Sequence, residues 1–143
     1  MVDKILFSSR SEEWETPQKL FDELNQEFHF GLDACASIDN AKCKFFYSKK
    51  ENGLTKEWCL STFMNPPYGR QVGKWVKKAY EESQKGSLIV CLLPARTDTK
   101  WFHNYCLKGE IRFIKGRLYF SNAGRAPFPS MIVIFKQQDN RVG

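Results

Sequence analysis

The strongest constraint on the fold is an uninterrupted apolar run near the middle of the chain. Residues 88–93 are Leu-Ile-Val-Cys-Leu-Leu, and Pro94 follows them. A strand with one solvent-exposed face alternates apolar and polar residues, whereas a strand covered on both faces does not. The run therefore predicts the central strand of an open, mostly parallel sheet with helices on both faces.

Shorter patterns on either side of this run alternate between helix and strand. Thr16 followed by Pro17 is typical of a helix start, with Thr16 as N-cap. Gly86 is expected to end a later helix. The predicted helices cover residues 17–27, 72–84 and 99–107, and the predicted strands cover 28–33, 44–47, 60–64, 87–94, 110–114 and 131–135. This alternation indicates an α/β fold, with any antiparallel strand at the edge of the sheet.

The length of 143 residues indicates a single domain over residues 1–143. We expect the segments 1–10 and 137–143 to be flexible. No apolar stretch is long enough to cross a bilayer, and the first residues do not combine a basic segment with an apolar one. The sequence therefore predicts a cytoplasmic protein.

The five cysteines do not form a metal-binding pattern. Cys35, Cys43, Cys59, Cys91 and Cys106 are odd in number and contain no C-x-x-C pair. Most of them stand in apolar surroundings. We therefore predict free, buried thiols and no bound metal.

The segment richest in chemical information is Asn65-Pro66-Pro67-Tyr68, which directly follows the predicted strand 60–64. The two prolines end the strand and restrict the backbone. The side-chain carbonyl of Asn65 and the backbone carbonyl of Pro66 can accept hydrogen bonds, and Tyr68 offers a flat aromatic face. Such a loop suits a planar group that carries N–H donors. For the tetrapeptide alone, a proline-stiffened turn without a chemical role is the alternative.

Three polar loops are predicted at the same edge of the sheet. They begin at Asp33, Asn65 and Pro94, each at the carboxyl end of a predicted strand. Open α/β sheets bind ligands at this edge. We therefore expect the three loops to form one site.

Together, these segments resemble the small phage-type, Dam-like DNA N6-adenine methyltransferases over residues 8–135. The resemblance rests on residues 13–17 (Glu-Trp-Glu-Thr-Pro), 32–36 (Leu-Asp-Ala-Cys-Ala), 65–69 (Asn-Pro-Pro-Tyr-Gly), 93–99 (Leu-Pro-Ala-Arg-Thr-Asp-Thr), 114–117 and 127–130. It implies a class I, Rossmann-like methyltransferase fold with S-adenosylmethionine as methyl donor. The implied substrate is an adenine flipped out of double-stranded DNA.

The resemblance assigns the catalytic loop to Asn65, Pro66, Pro67 and Tyr68. The lone pair of the adenine amino group is delocalised into the ring, so this nitrogen is a poor nucleophile. Acceptors at Asn65 and Pro66 would hold its N–H groups and align the nitrogen with the donor methyl. The ring of Tyr68 would stack on the base.

The resemblance also implies contacts to the methyl donor. Glu15, Thr16 and Pro17 would meet its methionine end at a helix N-terminus, although a plain capped helix is the alternative. Asp33 would pair with its ammonium group. Ala34, Cys35 and Ala36 follow Asp33 in place of the usual Gly-rich turn.

Glu51 and Asn52 precede the catalytic strand at the distance where related enzymes contact the ribose and adenine of the donor. An ordinary polar turn explains these two residues equally well. Only 31 residues separate Asp33 from Asn65, too few for the strands and helices of a full-sized family member. We therefore expect fewer strands than the seven typical of the class.

The net charge of +6 favours a polyanionic partner. Candidate DNA contacts are Arg96, Thr97, Asp98, Trp101, Lys115, Arg117, Arg125 and Phe128. A buried structural pair of Arg96 with Asp98 is the alternative for those two residues. No segment is large enough for a separate target-recognition domain, and a homodimer would supply a second contact surface.

Two other functions remain open at the level of sequence. The Asn-Pro-Pro-Tyr loop also suits methyl transfer to an adenine in RNA or to a protein glutamine. The shortened sheet and the missing glycines motivate a second alternative, a weak or inactive nucleic-acid-binding module built on a methyltransferase fold.

Overall fold

The computed structural model describes residues 13–138. The predicted flexible segment 1–10 and most of 137–143 lie outside this range. The described helices are α1 (Gln18–Phe28), α2 (Val72–Gln84) and α3 (Lys100–Asn104). The described strands are β1 (Leu32–Asp33), β2 (Ser61–Met64), β3 (Leu88–Pro94), β4 (Glu110–Phe113), β5 (Tyr119–Phe120), β6 (Gly124–Arg125) and β7 (Ser130–Phe135). None of these helices is long and apolar enough to cross a membrane.

Five strands form the main sheet in the order β1-β2-β3-β7-β4. β1, β2 and β3 are parallel, as predicted, whereas β7 runs antiparallel to both of its neighbours. The prediction that an antiparallel strand would lie at the edge is wrong, because β7 lies inside the sheet. No helix lies between β4 and β7 to carry the chain across the sheet, so β7 returns beside β4 in the opposite direction.

The central position predicted for residues 87–94 is confirmed. β3 lies between β2 and β7, and Val90, Cys91 and Leu92 are completely buried. Its continuous apolar sequence therefore reflects burial on both faces.

α1 and α2 cover opposite faces of the sheet. The ring of Phe21 in α1 meets Phe63 of β2 edge-on at 5.2 Å, and Tyr80 of α2 meets Phe135 of β7 edge-on at 5.9 Å. The strand register places Phe135 on the same face as Thr62, which points away from its neighbour Phe63. The expected arrangement of helices on both faces is therefore present.

The start of α1 differs from the prediction. Pro17, not Thr16, occupies the N-cap position, and no side chain caps the helix. The hydroxyl of Thr16 instead accepts a hydrogen bond from Asn65. The helix begins one residue later than predicted, and the hydroxyl of Thr16 takes part in a long-range contact.

The segment 44–47 forms less regular structure than predicted. Only Phe46 bridges to Asp33 of β1, supported by backbone hydrogen bonds from Asp33 to Phe45 and from Tyr47 to Asp33. This segment lies along the outer side of β1. Because only five strands form the main sheet in residues 13–138, the predicted reduction in strand number is confirmed.

A second, smaller sheet was not predicted from the sequence. β5 and β6 form a separate two-stranded hairpin. Strands of two residues are too short to produce a detectable alternation.

The predicted helix 99–107 divides into α3 and a 3-10 turn at Cys106–Lys108, with the hydroxyl of Thr99 capping α3.

The cysteines are all free thiols, but they differ in burial. Cys91 and Cys106 are buried, Cys35 and Cys43 are half-buried, and Cys59 is exposed. The prediction of buried thiols is therefore wrong for Cys59, which stands in the turn before β2 rather than in a strand.

Candidate active site

A cavity of about 710 Å³ opens at the carboxyl ends of β1 and β2. Its volume is within the range of about 300–1,000 Å³ that is usual for small-molecule sites. The predicted site residues that line it are Glu15, Thr16, Asp33, Cys35, Ala36, Asn52, Asn65, Pro66 and Pro67. Pro17, Ala34, Glu51 and Tyr68 do not line it. The fold thus brings the proposed donor-binding and catalytic segments to one place.

The amide group of Asn65 is fixed in one orientation. Its Nδ2 donates to the backbone oxygen of Trp14 and, over 3.0 Å, to the hydroxyl of Thr16. The backbone oxygen of Trp14 can only accept a hydrogen bond, which excludes the flipped orientation, in which the carbonyl oxygen of Asn65 would face it. The carbonyl oxygen therefore points away from the backbone oxygen of Trp14.

This carbonyl oxygen is the most informative atom of the site. Oδ1 of Asn65 is buried and has no hydrogen-bond partner within residues 13–138. Buried polar atoms are satisfied in the great majority of cases, and an exception calls for an explanation such as a ligand. Asn65 therefore presents an oriented acceptor to a group from outside the protein.

Residues 13–16 form an extended segment, here called the strap, that crosses from the cavity to the β5–β6 hairpin. Both side-chain atoms of Asn122 bind it: Oδ1 accepts from the backbone N–H of Glu15 at 2.9 Å, and Nδ2 donates to the oxygen of Glu13 at 3.0 Å. Ser121 donates its backbone N–H to Glu15 at 3.1 Å. The hairpin thus fixes the segment that orients Asn65.

Tyr68 lies in an aromatic cluster with Trp14, Phe120 and Phe128. Its ring is nearly parallel to that of Trp14, with centroids 6.4 Å apart and an angle of 27°. Phe120 and Phe128 meet it at 6.3 and 5.5 Å. The hydroxyl donates to the backbone oxygen of Leu92 at 3.2 Å, and burial raises the pKa of Tyr68. Tyr68 is 2% exposed, so its predicted stacking face is covered in this structure.

Asp33 is a buried carboxylate at the cavity wall. One oxygen accepts the backbone N–H of Cys35 at 3.4 Å, and the other accepts that of Lys42 at 3.1 Å. Burial raises the pKa of Asp33 to about 6, and the two backbone N–H groups oppose that shift. Asp33 therefore shapes the loop after β1, and an added positive charge nearby would stabilise its ionised form.

Glu51 and Asn52 form the polar turn that was the alternative to donor binding. The carboxylate of Glu51 accepts from the backbone and hydroxyl of Ser48, at 2.8 and 2.6 Å, outside the cavity. Asn52 has φ 58° and accepts from the N–H of Leu54. Asn52 nevertheless lines the cavity. The donor-binding role predicted for Glu51 is therefore not supported by its position.

The turn at residues 52–54 packs tightly against the loop after β1. A Cβ at Gly53 would collide with the backbone oxygen of Ala34 and touch the ring of Trp75 at 3.2 Å. The oxygen of Gly53 also accepts from the indole N–H of Trp58 at 2.9 Å. Only a glycine permits this approach, and this turn forms part of the cavity wall.

Several residues of the cavity were missed by the sequence analysis. They are Glu13, Trp14, Ser37, Asn40, Lys42, Tyr47, Ser48, Lys49, Lys50, Gly53, Phe63, Gln71 and Trp75. The motif Glu-Trp-Glu-Thr-Pro contained a signal for Trp14. Lys49 and Lys50 stand directly before Glu51 in the sequence, and this position was a signal that positive charge would lie at the cavity. The other residues lie on segments that reach the cavity through the fold, and no sequence motif or periodicity predicts this.

The candidate DNA contacts lie mainly on the surface. Arg96, Thr97, Asp98, Lys115, Arg117 and Arg125 are exposed, whereas Trp101 and Phe128 are half-buried. The guanidinium of Arg96 lies 6.0 Å from the ring centre of Phe128, which belongs to the aromatic cluster. Trp101 packs against Gly73 of α2. Within the described range, no ion pair joins Arg96 to Asp98, so the alternative of a buried pair is not present.

No group of three or more His, Cys, Asp or Glu side chains in the described part of the chain is arranged to bind a metal ion.

Comparison with known proteins identifies relatives of one kind. The family model of DNA N-6-adenine-methyltransferase (Dam) matches residues 5–142. The DNA N-6-adenine-methyltransferase of Escherichia phage T1 is 38% identical over 92 residues, which cover 62% of this chain and 38% of the phage protein. That of Haemophilus phage HP1 (strain HP1c1) is 31% identical over 140 residues, covering 86% of this chain and 78% of the relative. The chain thus spans less than half of the first relative and most of the second.

Proposed function

Because the chain belongs to the DNA N-6-adenine-methyltransferase family, we propose that it transfers a methyl group from S-adenosylmethionine to N6 of a flipped-out adenine in double-stranded DNA. The family predicted from the sequence is confirmed by the match over residues 5–142. The observation that carries the proposal is the buried, oriented and unpartnered Oδ1 of Asn65 at the cavity wall.

The topology supports a reduced class I, Rossmann-like fold. Parallel strands β1 and β2 end at the cavity, whereas no residue of β3 or of the loop after it lines the cavity, and the antiparallel β7 stands between β3 and β4. Ligands of open α/β sheets bind outside the carboxyl ends of the parallel strands. The site at the ends of β1 and β2 follows that rule.

The residues of the cavity fit S-adenosylmethionine. The buried carboxylate of Asp33 would hold the ammonium group, and the backbone around Thr16 with the nearby Lys42 would hold the carboxylate. Trp75 offers an aromatic wall, and its buried indole N–H has no partner within residues 13–138. When bound, the donor supplies an electrophilic methyl group on a sulfonium.

The acceptor oxygens of the loop 65–68 act on the adenine. Oδ1 of Asn65 would accept one N6–H, and the backbone oxygen of Pro66 would accept the other. These contacts draw the N6 lone pair out of conjugation and aim it at the methyl carbon. The bound donor would supply the methyl group and keep the electron pair of its S–C bond, and N6 would lose one proton to water.

The DNA would lie across the surface next to the aromatic cluster. Arg96 approaches Phe128, and Arg125 lies on the hairpin that holds the strap. Cationic side chains here would bind phosphates near the flipped base. A homodimer would extend this contact surface.

Methyl transfer from labelled donor tests the proposal. Purified protein is incubated in parallel with DNA from cells that lack adenine methylation, with RNA and with protein. We expect label in DNA alone, and sequencing of the product DNA to place it on N6 of adenine. Label in RNA or protein instead would refute the assignment, and no label with confirmed donor binding would indicate the non-catalytic alternative.

The role of Asn65 is tested by Asn65→Ala, with Asn104→Ala as an exposed control in α3. Removal of one oriented transition-state donor or acceptor costs a factor of about 10² to 10³ in kcat in comparable sites. We expect that loss for Asn65→Ala with donor binding retained, and normal turnover for Asn104→Ala. Near-normal turnover of Asn65→Ala would remove Asn65 from the mechanism.

A further inference from the structure

Trp14 covers the surface that a flipped adenine needs. The indole lies over the ring of Tyr68 with an angle of 27° between their planes. Tyr68 is 2% exposed, and Phe120 and Phe128 pack against its ring together with Trp14. A base cannot stack on Tyr68 while Trp14 keeps this position.

Two buried polar atoms of Trp14 and Asn65 lack hydrogen-bond partners. Nε1 of Trp14 and Oδ1 of Asn65 are both buried, and neither has a partner within residues 13–138. An adenine in place of the indole would give an amino N–H to Oδ1 of Asn65. The indole N–H would find water once the side chain turned outward. Replacement of the indole by an adenine would therefore give hydrogen-bond partners to both Nε1 of Trp14 and Oδ1 of Asn65.

The surroundings of Trp14 suit a purine in shape. Phe120 and Phe128 meet the indole edge-on, with centroids at 5.3 and 5.1 Å and planes inclined by 61° and 85°. Indole and purine are both flat, with a six-membered ring fused to a five-membered one. A ring stacked on Tyr68 and bordered by these edges has the geometry that aromatic groups prefer.

The indole can leave without dismantling the strap. Asn122 binds the backbone of Glu13 and Glu15, and Asn65 binds the backbone oxygen of Trp14. The indole itself takes part in no hydrogen bond within residues 13–138. Rotation of the Trp14 side chain therefore breaks ring contacts but leaves the segment that orients Asn65 in place.

We propose that Trp14 occupies the adenine pocket in the free enzyme and yields its place on Tyr68 to the flipped base. This inference rests on the proposed function, because it describes how the same site receives its substrate. The indole competes with every base that enters. Displacement of the indole costs the free energy of its ring contacts. Only an adenine that stacks on Tyr68 and also binds Asn65 offsets that cost.

Steady-state kinetics on unmethylated genomic DNA provide the first test. Trp14→Ala keeps the backbone oxygen that holds Asn65 but removes the competitor, so kcat/KM for DNA should rise about threefold to tenfold. Trp14→Phe should give a smaller rise, and it decides the matter if Trp14→Ala does not fold. Phe45→Ala, which removes an exposed aromatic ring outside the cavity, should change nothing. A fall in kcat/KM for a folded Trp14 variant would overturn the proposal.

Fluorine NMR tests the displacement without turnover. The protein is labelled with 5-fluorotryptophan, the Trp14 signal is assigned with Trp14→Phe, and the donor site is saturated with S-adenosylhomocysteine. Added adenosine should shift the Trp14 signal far more than those of Trp58, Trp75 and Trp101. An unmoved Trp14 signal would overturn the proposal even in an active enzyme. A shifted signal without DNA methylation would leave Trp14 displacement intact and refute the proposed function.

Discussion

The side-chain nitrogen of Asn65 donates a hydrogen bond to the hydroxyl of Thr16 over 3.0 Å, across 49 positions of the chain. This contact joins the segment before α1 to the loop after β2. Thr16 does not cap α1, because the helix begins at Gln18 with Pro17 at its N-cap position. The orientation of the proposed catalytic amide thus depends on a residue outside its own loop.

Removal of the Thr16 hydroxyl should misorient Asn65. We expect Thr16→Val to lower kcat by roughly tenfold and stability by about 1 kcal/mol, because one buried hydrogen bond is lost. Thr16→Ser retains the hydroxyl and should stay close to the wild-type protein. Labelled methyl transfer and thermal unfolding measure the two effects, and equal activity of the valine and serine variants would contradict this role.

Asn122 should affect catalysis from outside the cavity. Asn122→Ala removes both hydrogen bonds to the strap, which should reduce stability by about 1–3 kcal/mol and also lower kcat. Asn122→Asp keeps the acceptor for Glu15 but loses the donor for Glu13, so both effects should be intermediate. Denaturant unfolding and methyl transfer test this order. A stability loss with unchanged kcat would show that the strap does not position Asn65.

Donor binding should depend on the ionisation of Asp33. Its pKa is about 6 in the folded protein, above the usual 3.8, so the native state binds the proton more tightly than the unfolded state. This group therefore makes stability fall as the pH rises from about 4 to about 6. Binding of the donor ammonium requires the ionised form of Asp33. The affinity for the donor should therefore fall as the pH drops below about 6, with a limiting slope of about tenfold per pH unit.

Calorimetry between pH 5 and 7, where an α-amino group stays protonated, measures this dependence. Asp33→Asn should bind the donor weakly and without the pH dependence. Asp39→Asn, an exposed carboxylate change in the same loop, should behave as the wild type. An unchanged profile in Asp33→Asn would rule out the pairing with the ammonium group.

Two glycines should respond to alanine in opposite directions. Gly53→Ala forces the turn away from Ala34, which should cost about 1–3 kcal/mol and weaken donor binding. Gly73→Ala places its Cβ at 3.5 Å from Trp101, an ordinary contact within α2, and should stabilise the protein by up to about 1 kcal/mol. Thermal unfolding and donor titration compare them. Equal stability of both variants would contradict the close packing at Gly53.

Local patterns were sufficient for the main elements of the fold. The apolar residues 88–93 indicated a central strand, and the helix 72–84 was predicted with its observed bounds. The short distance from Asp33 to Asn65 indicated a reduced sheet. These features follow from the spacing of apolar residues, from an uninterrupted apolar run and from the number of residues between two motifs. All three are visible in the sequence without knowledge of the tertiary structure.

The position of β7 and the hairpin β5–β6 were not predicted, because strand direction and very short strands depend on how distant segments pair. The same limit applies to Tyr68. Its sequence context suggested a free stacking face, but Trp14 covers that face in the folded chain. Glu51 was likewise predicted at the cavity, but its carboxylate binds the neighbouring Ser48 and does not line the cavity.

The sequence by itself determined that a proline-stiffened loop with an amide and an aromatic ring follows a strand, and it identified the family. Only the tertiary structure decided which way the amide of Asn65 points. That orientation depends on acceptors from Trp14 and Thr16, 51 and 49 positions away, and on Asn122, 107 positions from Glu15. Backbone restrictions act between neighbours, whereas a hydrogen bond across the fold exists only after packing has brought its two partners together.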